Sequence, residues 1–319
     1  MHIDFNHALV TGGAGFIGSH LVEALLSDGC KVRVLDNLST GNLRNLEPVM
    51  DHITFYKNDI REPEMLEEAA EGCEVIFHLA AVVAVQQTIS NPIESAMIND
   101  IGTINVLEAA RARNVRRVVL ASSCAVYGDD PRLPKKETMT PRPASPYAVQ
   151  KLSAEHYARV YFDLFGLETV SLRFFNVYGP RQDPSSPYSG VISKFMANAV
   201  SNQAPVIYGD GIQSRDFVYV KDVVMANLLA AGTDNLAGNV FNVGTGSDVL
   251  INRLWELISS LSGQHLAPRH EPARSGDILH SVAGMELAQS VLKFTNDFTL
   301  EKGLEMTFDW YKGQMTEDR

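Results

Sequence analysis

A tyrosine and a lysine stand one helical turn apart in the stretch ASPYAVQK, residues 144–151. Ser145 can cap a helix whose first residue is Pro146, which places Tyr147 in the first turn. Lys151 then follows four residues later on the same helical face. On spacing alone, such a pair is more often an ordinary surface contact than a catalytic one.

The pair could nevertheless make a base. A free tyrosine has a pKa near 10, and lowering that pKa by ~3 units takes ~4 kcal/mol. One ammonium ~4 Å away, at an effective dielectric constant of ~20, supplies about that much. The positive end of the helix, and an oxidised nicotinamide ring if one were bound, would add to the effect.

Two serines precede this pair in LASSCAVYG, residues 120–128, at the end of a predicted strand. Ser122 or Ser123 could hold a substrate oxygen beside Tyr147. The alternative is a pair of serines that only ends a strand, and without the other motifs that interpretation is preferred.

A glycine-rich turn follows the first predicted strand, in ALVTGGAGFIG at residues 8–18. Gly12, Gly15 and Gly18 would let a pyrophosphate approach the backbone and the positive end of the next helix. Asp36 ends the following strand, where a carboxylate can bind both adenosine ribose hydroxyls and would repel a 2′-phosphate. The pattern therefore favours NAD over NADP. Asp59, after the third strand, is either an adenine contact or a solvated turn residue.

Predicted strands and helices alternate through the first half of the chain, which indicates a parallel sheet covered on both faces. The fold class is α/β: a Rossmann-type doubly wound parallel sheet with a smaller α/β substrate-binding lobe. Ligands of such sheets bind beyond the carboxyl ends of the strands. The predicted strands are His7–Val10, Lys31–Leu35, Ile53–Tyr56, Glu74–Phe77, Arg117–Ala121, Glu168–Arg173, Phe217–Val220 and Val240–Val243, and the predicted helices are Phe16–Ser27, 92–113, 146–165, 249–262 and 299–313.

The segment Gly179–Gly190 is rich in Pro, Ser and Gly and is either a linker or a loop over a pocket. We expect a cofactor domain over 1–178, which also receives segments near 204–245. The smaller lobe is expected to comprise 179–203 and 246–319.

Composition excludes several classes of protein. The 319 residues carry 27 basic and 38 acidic side chains, a formal net charge of −11, which argues against nucleic-acid and anionic-membrane partners. No apolar run reaches the ~18 residues of a membrane span, and the first residues do not resemble a signal peptide. Cys30, Cys73 and Cys124 fit neither a disulfide framework nor a zinc site, so we expect no metal and a cytoplasmic location.

The motifs together resemble the extended short-chain dehydrogenase/reductase family, the NAD-dependent sugar-nucleotide epimerases and dehydratases, from about residue 7 to about residue 313. Any one motif is moderate evidence, whereas their order along one chain is strong evidence. They are TGGAGFIGSHL with Asp36, HLAA (His78–Ala81), SSCAVYG, Tyr147-x-x-x-Lys151, RFFNVYGPRQ (Arg173–Gln182), GDGIQSRDFVYVKD (Gly209–Asp222), FNVGTG (Phe241–Gly246) and RSGDILHS (Arg274–Ser281).

The resemblance implies roles for individual residues. Ser123 would bind the sugar O4, Tyr147 would remove the O4 proton, and Lys151 would bind the nicotinamide ribose. The implied NAD contacts are Gly12, Gly15, Phe16, Ile17, Gly18, Asp36, Asn37, Asp59, Ile60, Leu79, Ala80, Ala81, Asn99, Tyr147 and Lys151.

The resemblance also implies a UDP-sugar substrate. Asn176 would contact the diphosphate, Arg215 and Arg274 the UDP phosphates, Tyr208 the uracil, and Asp277 the uridine ribose, with Val191 and Ser281 completing the set. From the residues alone, Arg215 beside Asp216 could be a surface ion pair, and Tyr208 could belong to the core.

The implied reaction depends on the position after the serines. Dehydratases of the family carry an acid pair there and uronate decarboxylases a glutamate, whereas this chain has Cys124 and Ala125. The implied activity is therefore 4-epimerisation of a UDP-hexose through a transient 4-keto sugar. The alternatives are a UDP-uronic acid 4-epimerase, a nucleotide-sugar reductase and an NAD-sensing scaffold.

Three further expectations come from the resemblance. Ser281 stands where some relatives carry a bulky tyrosine, which favours acceptance of N-acetylated sugars. Helices 92–113 and 146–165 would form a four-helix homodimer interface. Val83 and Gly284 depart from the residues common in the family.

Overall fold

The computed structural model describes residues 3–184, 190–263, 266–273 and 278–317. Fourteen strands lie within these ranges. They are β1 His7–Thr11, β2 Lys31–Leu35, β3 Ile53–Tyr56, β4 Val75–His78, β5 Arg117–Ser123, β6 Glu168–Phe174, β7 Asn176–Tyr178, β8 Val206–Tyr208, β9 Ser214–Arg215, β10 Phe217–Tyr219, β11 Asn239–Val243, β12 Val249–Leu250, β13 Arg269–Glu271 and β14 His280–Ser281.

Ten α-helices lie within the same described ranges. They are α1 Phe16–Ser27, α2 Pro63–Ala70, α3 Val85–Ser90, α4 Pro92–Ala96, α5 Gly102–Ala112, α6 Pro146–Phe165, α7 Val191–Val200, α8 Val220–Gly232, α9 Ile251–Leu261 and α10 Leu300–Glu317.

Seven strands form one parallel sheet in the order β11-β6-β5-β4-β1-β2-β3. The chain leaves β1 in one direction toward β2 and β3 and returns past β1 to β4, so the order reverses between β1 and β4. That reversal is the switch point at which doubly wound sheets bind ligands. The predicted Rossmann-type fold is confirmed.

Both faces of this parallel sheet are buried, because the helices that connect its strands cover them. In β1, Ala8 and Val10 point to one core with α1 residues such as Leu21, while Leu9 points to a second core with Leu107 of α5. Side chains alternate across a strand, so apolar residues in succession require helices on both faces.

The remaining strands form small sheets that pair β7 with β10, β8 with β13, and β9 with both β12 and β14. A third core joins α7, α9 and α10 through residues such as Phe195, Trp255 and Phe308. The division of the chain into two lobes with the boundaries given above stays a prediction.

Several predicted elements differ from those observed. Strand β4 begins at Val75 rather than Glu74, and β5 continues two residues further, to Ser123. The predicted helix 92–113 is interrupted by a π-helical turn, Met97–Ile101. The helices α2, α3, α7 and α8 were not among the sequence predictions. Within the described ranges, every helix is too short or too polar to cross a membrane.

Candidate active site

The catalytic candidates meet at the carboxyl end of β5 and the first turns of α6. Ser123 ends β5, and its Oγ accepts a hydrogen bond from Ala125 N at 3.2 Å. Ser145 caps α6, because its Oγ accepts from Ala148 N at 3.2 Å, and Pro146 opens the helix as predicted. The Ser123 bond caps the short turn after β5, the Ser145 bond caps α6, and α6 packs against both β5 and that turn.

Tyr147 is hydrogen-bonded to Ser123, which brings two of the predicted catalytic side chains together. Burial raises the pKa of Tyr147 to about 12, and the hydrogen bond from Ser123 opposes that rise. The protein groups alone thus keep the phenol neutral at physiological pH, whereas the sequence argument expected a lowered pKa.

Lys151 explains this difference. Its Nζ donates to the Ala121 carbonyl at 2.7 Å and lies 5.9 Å from the centroid of the Tyr147 ring. Burial lowers the pKa of Lys151 to about 8, and the carboxylate of Glu155 acts in the opposite direction. The ammonium is therefore directed to a backbone oxygen, and its distance from the ring limits its effect on the phenol.

A buried network not found from sequence supports this end of the site. Ser122 Oγ donates to Glu155 Oε1 at 2.5 Å, and Glu155 also receives Nε and Nη2 of Arg173 at 2.8 and 2.7 Å. Arg173 stacks 4.8 Å from the Tyr127 ring centroid, and Tyr127 donates to Asn242 at 2.6 Å. The only sequence signals were the spacing of Glu155 one turn after Lys151 and the place of Arg173 in a quoted motif.

The glycine turn forms a cradle that side chains would fill. Gly12 has a φ of +72°, and a Cβ there would lie 2.7 Å from Ala80 N. A Cβ on Gly18 would lie 2.2 Å from Gly12 O, and one on Gly15 would lie 3.1 Å from the same oxygen. Helix α1 starts at Phe16, so its first N–H groups, including that of Ile17, are placed for a pyrophosphate.

Asp36 lies at the end of β2, beside this cradle. Its Oδ2 accepts from Ala14 N at 3.0 Å and its Oδ1 from Leu38 N at 2.8 Å, and burial raises its pKa. A carboxylate has about four acceptor positions. Two remain for ribose hydroxyls, so the cradle and Asp36 fit the adenosine half of NAD.

The side chains of Asn37 and Asp59 are hydrogen-bonded to each other. Asn37 Nδ2 donates to Asp59 Oδ2 at 2.8 Å, and Arg61 pairs with the same carboxylate through two bonds of 2.9 Å. Arg61 lowers the pKa of Asp59 to about 2. The adjacent Ile60 is buried, and its carbonyl accepts from Asn105. Their contacts with adenine stay predictions.

Leu79, Ala80 and Ala81 follow β4 and run beside the glycine turn. Leu79 N donates to Thr11 O at 3.1 Å, which continues the parallel pairing of β4 with β1. Asn99 faces the same segment but directs its side-chain amide to the peptide of Val82, not to open space.

Two of the predicted substrate residues, Asn176 and Arg215, lie next to Asp216. Asn176 N and Nδ2 both donate to Asp216 O, at 3.1 and 3.0 Å. Arg215 Nη1 donates to Ser214 O at 2.9 Å and to Leu279 O at 3.3 Å. Asp216 has 0% exposure, so it is not the surface partner of Arg215 that the sequence allowed.

The carboxylate of Asp216 joins three segments instead. It accepts from Thr245 N at 2.8 Å and Thr245 Oγ1 at 2.7 Å, from Gly246 N at 3.0 Å and from Ala283 N at 3.1 Å. Arg215 and Asp216 also act electrostatically on Cys124, which places this cluster beside the catalytic turn.

The other predicted substrate residues lie on different elements. Ser281 is buried on β14, where it pairs with Arg215 of β9. Val191 is the first residue of α7, and Tyr208, half-buried, ends β8. Arg274 and Asp277 lie outside the described residues.

The structure accounts for one of the two departures from the family pattern. Gly284 N donates to Lys135 O at 2.7 Å, and a Cβ at residue 284 would lie 3.0 Å from that oxygen and 3.1 Å from Glu286 Oε2. An aspartate at residue 284 would therefore crowd the Lys135 carbonyl and the Glu286 carboxylate. Nothing in the structure explains Val83, whose side chain is exposed.

The sequence model that describes the NAD dependent epimerase/dehydratase family matches residues 8–244 of this chain. This chain therefore belongs to that family, which agrees with the cradle, Asp36 and the Ser123–Tyr147–Lys151 arrangement.

Related proteins match nearly the whole chain. A UDP-glucose 4-epimerase of Mycolicibacterium smegmatis is 39% identical over 310 residues, which are 96% of this chain and 98% of the relative. A UDP-N-acetylglucosamine 4-epimerase of Methanobrevibacter ruminantium, solved with UDP-N-acetylmuramic acid, is 41% identical with a TM-score of 0.94 over 99% of this chain and 100% of its own. A UDP-glucose 4-epimerase of Thermotoga maritima, solved with UDP-glucose, is 37% identical with a TM-score of 0.93 over 97% and 99%.

Proposed function

We propose that this protein is a UDP-hexose 4-epimerase that uses tightly bound NAD. The observation that carries the proposal is the hydrogen-bonded pair Ser123–Tyr147 beside the buried Lys151, at the switch-point edge of the sheet. The relatives with UDP-sugar epimerase names cover almost the whole chain and support the same reaction.

The protein's own groups would act on the sugar O4. Ser123 holds O4 against Tyr147, and Tyr147 Oη takes the O4 proton and later returns it. Lys151 would bind the cofactor ribose, and its positive charge favours the phenolate form to an extent limited by its 5.9 Å distance from the Tyr147 ring centroid. The cradle of Gly12, the helix start at Phe16 and the carboxylate of Asp36 would hold NAD, which supplies reversible oxidation at C4. Arg215 and Asn176 would anchor the diphosphate while the sugar turns.

The residues after Ser123 disfavour elimination and decarboxylation. Cys124 occupies the position at which an acid would be needed, and burial raises the pKa of its thiol to about 11. It is therefore a neutral thiol at physiological pH, and the side chain of Ala125 has no titratable group. Of the three described residues discussed here, Ser123, Cys124 and Tyr147, we assign the proton exchange with the sugar to Tyr147.

The test is incubation of the purified protein with single UDP-sugars and no added cofactor, followed by chromatography. The substrates are UDP-glucose, UDP-galactose, their N-acetyl analogues and UDP-glucuronate. Interconversion of a 4-epimeric hexose pair is expected. Conversion of the uronate alone, or of none of them, would contradict the proposal.

We infer that N-acetylated UDP-sugars are also accepted, because Ser281 is small and lies in the strand pair that carries Arg215. Ser281→Tyr should suppress turnover of UDP-N-acetylglucosamine and spare UDP-galactose. Ser281→Ala is the control for loss of the hydroxyl alone. An equal loss on both sugars in a variant that keeps the wild-type circular dichroism spectrum would refute the inference.

We also propose a homodimer through the face formed by α4, the π-helical turn 97–101 and α6. This face exposes large apolar side chains, among them Ile93 at 81% and Leu164 at 70%, together with Met97, Ile101, Val160 and Phe165. Two packed helical segments from each copy would make a four-helix interface, and the apolar area removed from water would stabilise it.

Analytical ultracentrifugation tests the interface. Leu164→Glu should give a monomer, because it would bury a carboxylate against a second copy. Val291→Glu is the matched control, since Val291 is an exposed valine outside this face. A wild-type monomer, or a Leu164→Glu protein that sediments as the wild-type dimer does, would contradict the proposed interface.

A further inference from the structure

The segment between β4 and α3 is held in place by one side-chain amide. Asn99 Oδ1 accepts from Val82 N at 2.8 Å, and Asn99 Nδ2 donates to Val82 O at 2.9 Å. The two bonds fix both ends of one residue, as a neighbouring strand would. Asn99 lies on the π-helical turn 97–101, a widened turn of the kind often found at functional sites.

The second N–H of the same amide leads to helix α6. Asn99 Nδ2 donates to Gln150 Oε1 at 2.7 Å, and Gln150 Nε2 donates to Ser95 Oγ at 2.9 Å. Ser95 in turn donates to Pro92 O at 3.0 Å. Asn99, Gln150 and Ser95 are all buried, so water does not compete for these bonds.

Gln150 stands between the catalytic residues of α6, three residues after Tyr147 and directly before Lys151. One turn of α6 therefore presents the catalytic pair and also holds the Val82 segment through Asn99. The hydrogen bonds from Gln150 to Asn99 and from Asn99 to Val82 therefore set the distance between the segment after β4 and the catalytic turn of α6.

The strand order shows which part of the dinucleotide this segment meets. Asp36 ends β2 on one side of β1, whereas β4 and β5 lie on the other side. With the adenosine at Asp36 and the pyrophosphate at the glycine turn, the segment after β4 borders the nicotinamide half.

We propose that Gln150 and Asn99 are positioning residues that hold the Val82–Ala84 segment at the nicotinamide end of bound NAD. Both N–H groups of the Asn99 amide are engaged within the protein, so Asn99 acts through the Val82 peptide rather than by donating to the cofactor. The proposal rests on the proposed function for the presence of NAD, and it adds Gln150 to the site.

The test is competition between two ligands that differ only at the nicotinamide end. The full-length protein is saturated with NAD and titrated with ADP-ribose, and the NAD that stays bound is measured after gel filtration. The ratio of ADP-ribose to NAD at half displacement reports the relative affinity of the two ligands. A variant that only weakens the fold lowers both affinities and leaves the ratio unchanged.

Gln150→Met keeps the side-chain length and removes both hydrogen bonds. We expect the displacement ratio to fall about tenfold, the effect of roughly one misplaced hydrogen-bonding contact at the nicotinamide end. Gln213→Met is the matched control, because it removes a different glutamine hydrogen bond, the one that Gln213 Nε2 donates to the Tyr208 carbonyl at 2.8 Å. An unchanged ratio in Gln150→Met would overturn the proposal.

Gln150→Glu supplies the conservative rescue. A buried glutamic acid is driven to its neutral form, which can accept from Asn99 and donate to Ser95 as the amide does. At pH 6 this variant should restore the ratio to within about twofold of wild type. A ratio as low as that of Gln150→Met would contradict the role of the hydrogen bonds.

The same experiment separates the two proposals. A wild-type protein that binds NAD and ADP-ribose yet epimerises no UDP-sugar would remove the proposed function and leave the displacement ratio measurable. If Gln150→Met does not fold, the comparison of Gln150→Glu at pH 6 and pH 8 decides, because ionisation at the higher pH should lower the ratio.

Discussion

Two buried carboxylates support the two ends of the site in different ways. Glu155, at the catalytic end, is paired with the guanidinium of Arg173 and receives the Ser122 hydroxyl. Asp216, at the proposed nucleotide end, receives three backbone N–H groups and one hydroxyl. The ion pair with Arg173 fixes both the charge and the position of the Glu155 side chain. The four neutral donors on Asp216 instead fix the conformation of the loops around residues 245 and 283. The catalytic end therefore depends on a charge balance that the nucleotide end does not share.

The largest effect should come from removing one charge of the pair. Glu155→Gln leaves the Arg173 guanidinium buried and uncompensated, which should lower the free energy of unfolding by about 3–5 kcal/mol. Chemical denaturation measures this loss. The variant also removes the carboxylate that opposes the lowered pKa of Lys151, so the alkaline limb of the rate profile should move to lower pH.

A double variant, Glu155→Leu with Arg173→Met, tests whether charge is the cause. It removes both ions and should recover most of the stability, since apolar replacements of buried pairs are often neutral. Activity should stay low because this variant also lacks the carboxylate that opposes the lowered pKa of Lys151. If the double variant is no more stable than Glu155→Gln, the contrast between the two carboxylates would not hold.

A smaller effect is expected at the nucleotide end. Asp216→Asn keeps the side-chain shape but turns an amide N–H toward donors, which should lower the free energy of unfolding by about 1–3 kcal/mol. Because Arg215 precedes this residue, KM for the UDP-sugar should rise more than kcat falls. Steady-state kinetics checks the split, and a fall in kcat at constant KM would assign Asp216 to the catalytic end.

Acid should act with opposite signs through His78, at the end of β4, and through Asp216. Burial lowers the pKa of His78 to about 3, below its unfolded value near 6.5. The unfolded chain therefore binds a proton first, and stability falls by about 1.4 kcal/mol per pH unit below pH 6.5. Burial raises the pKa of Asp216, so its own contribution to stability increases as pH falls. Denaturant titrations between pH 7 and pH 5 measure the sum, and His78→Gln should flatten the decline.

Much of the cofactor half could be predicted because its residues are close in sequence. The glycine turn, Asp36 and the Ser145–Pro146 helix start are local patterns with direct physical meaning. Tyr147 and Lys151 were correctly placed on one turn of α6. The error lay in the direction of the Lys151 ammonium, which binds the Ala121 carbonyl two strand residues before Ser123.

The rest depends on partners that are distant along the chain. Asp216 bonds to residues near 245 and 283, and Asn99 bonds to Gln150 across two helices. A sequence does not show which polar side chains become buried, so a surface ion pair with Arg215 was one alternative for Asp216, and Gln150 went unnoticed. Both side chains are buried and hydrogen-bonded in the structure.

The most direct test of the whole account starts from each epimer separately. UDP-glucose and UDP-galactose are incubated with wild-type protein and with Tyr147→Phe, without added cofactor. The account predicts that wild type brings both reactions to the same product ratio with no net accumulation of NADH. Tyr147→Phe should keep its NAD and lose at least about a hundredfold in rate. Near-normal turnover by Tyr147→Phe, or a wild type that leaves both sugars unchanged, would contradict it.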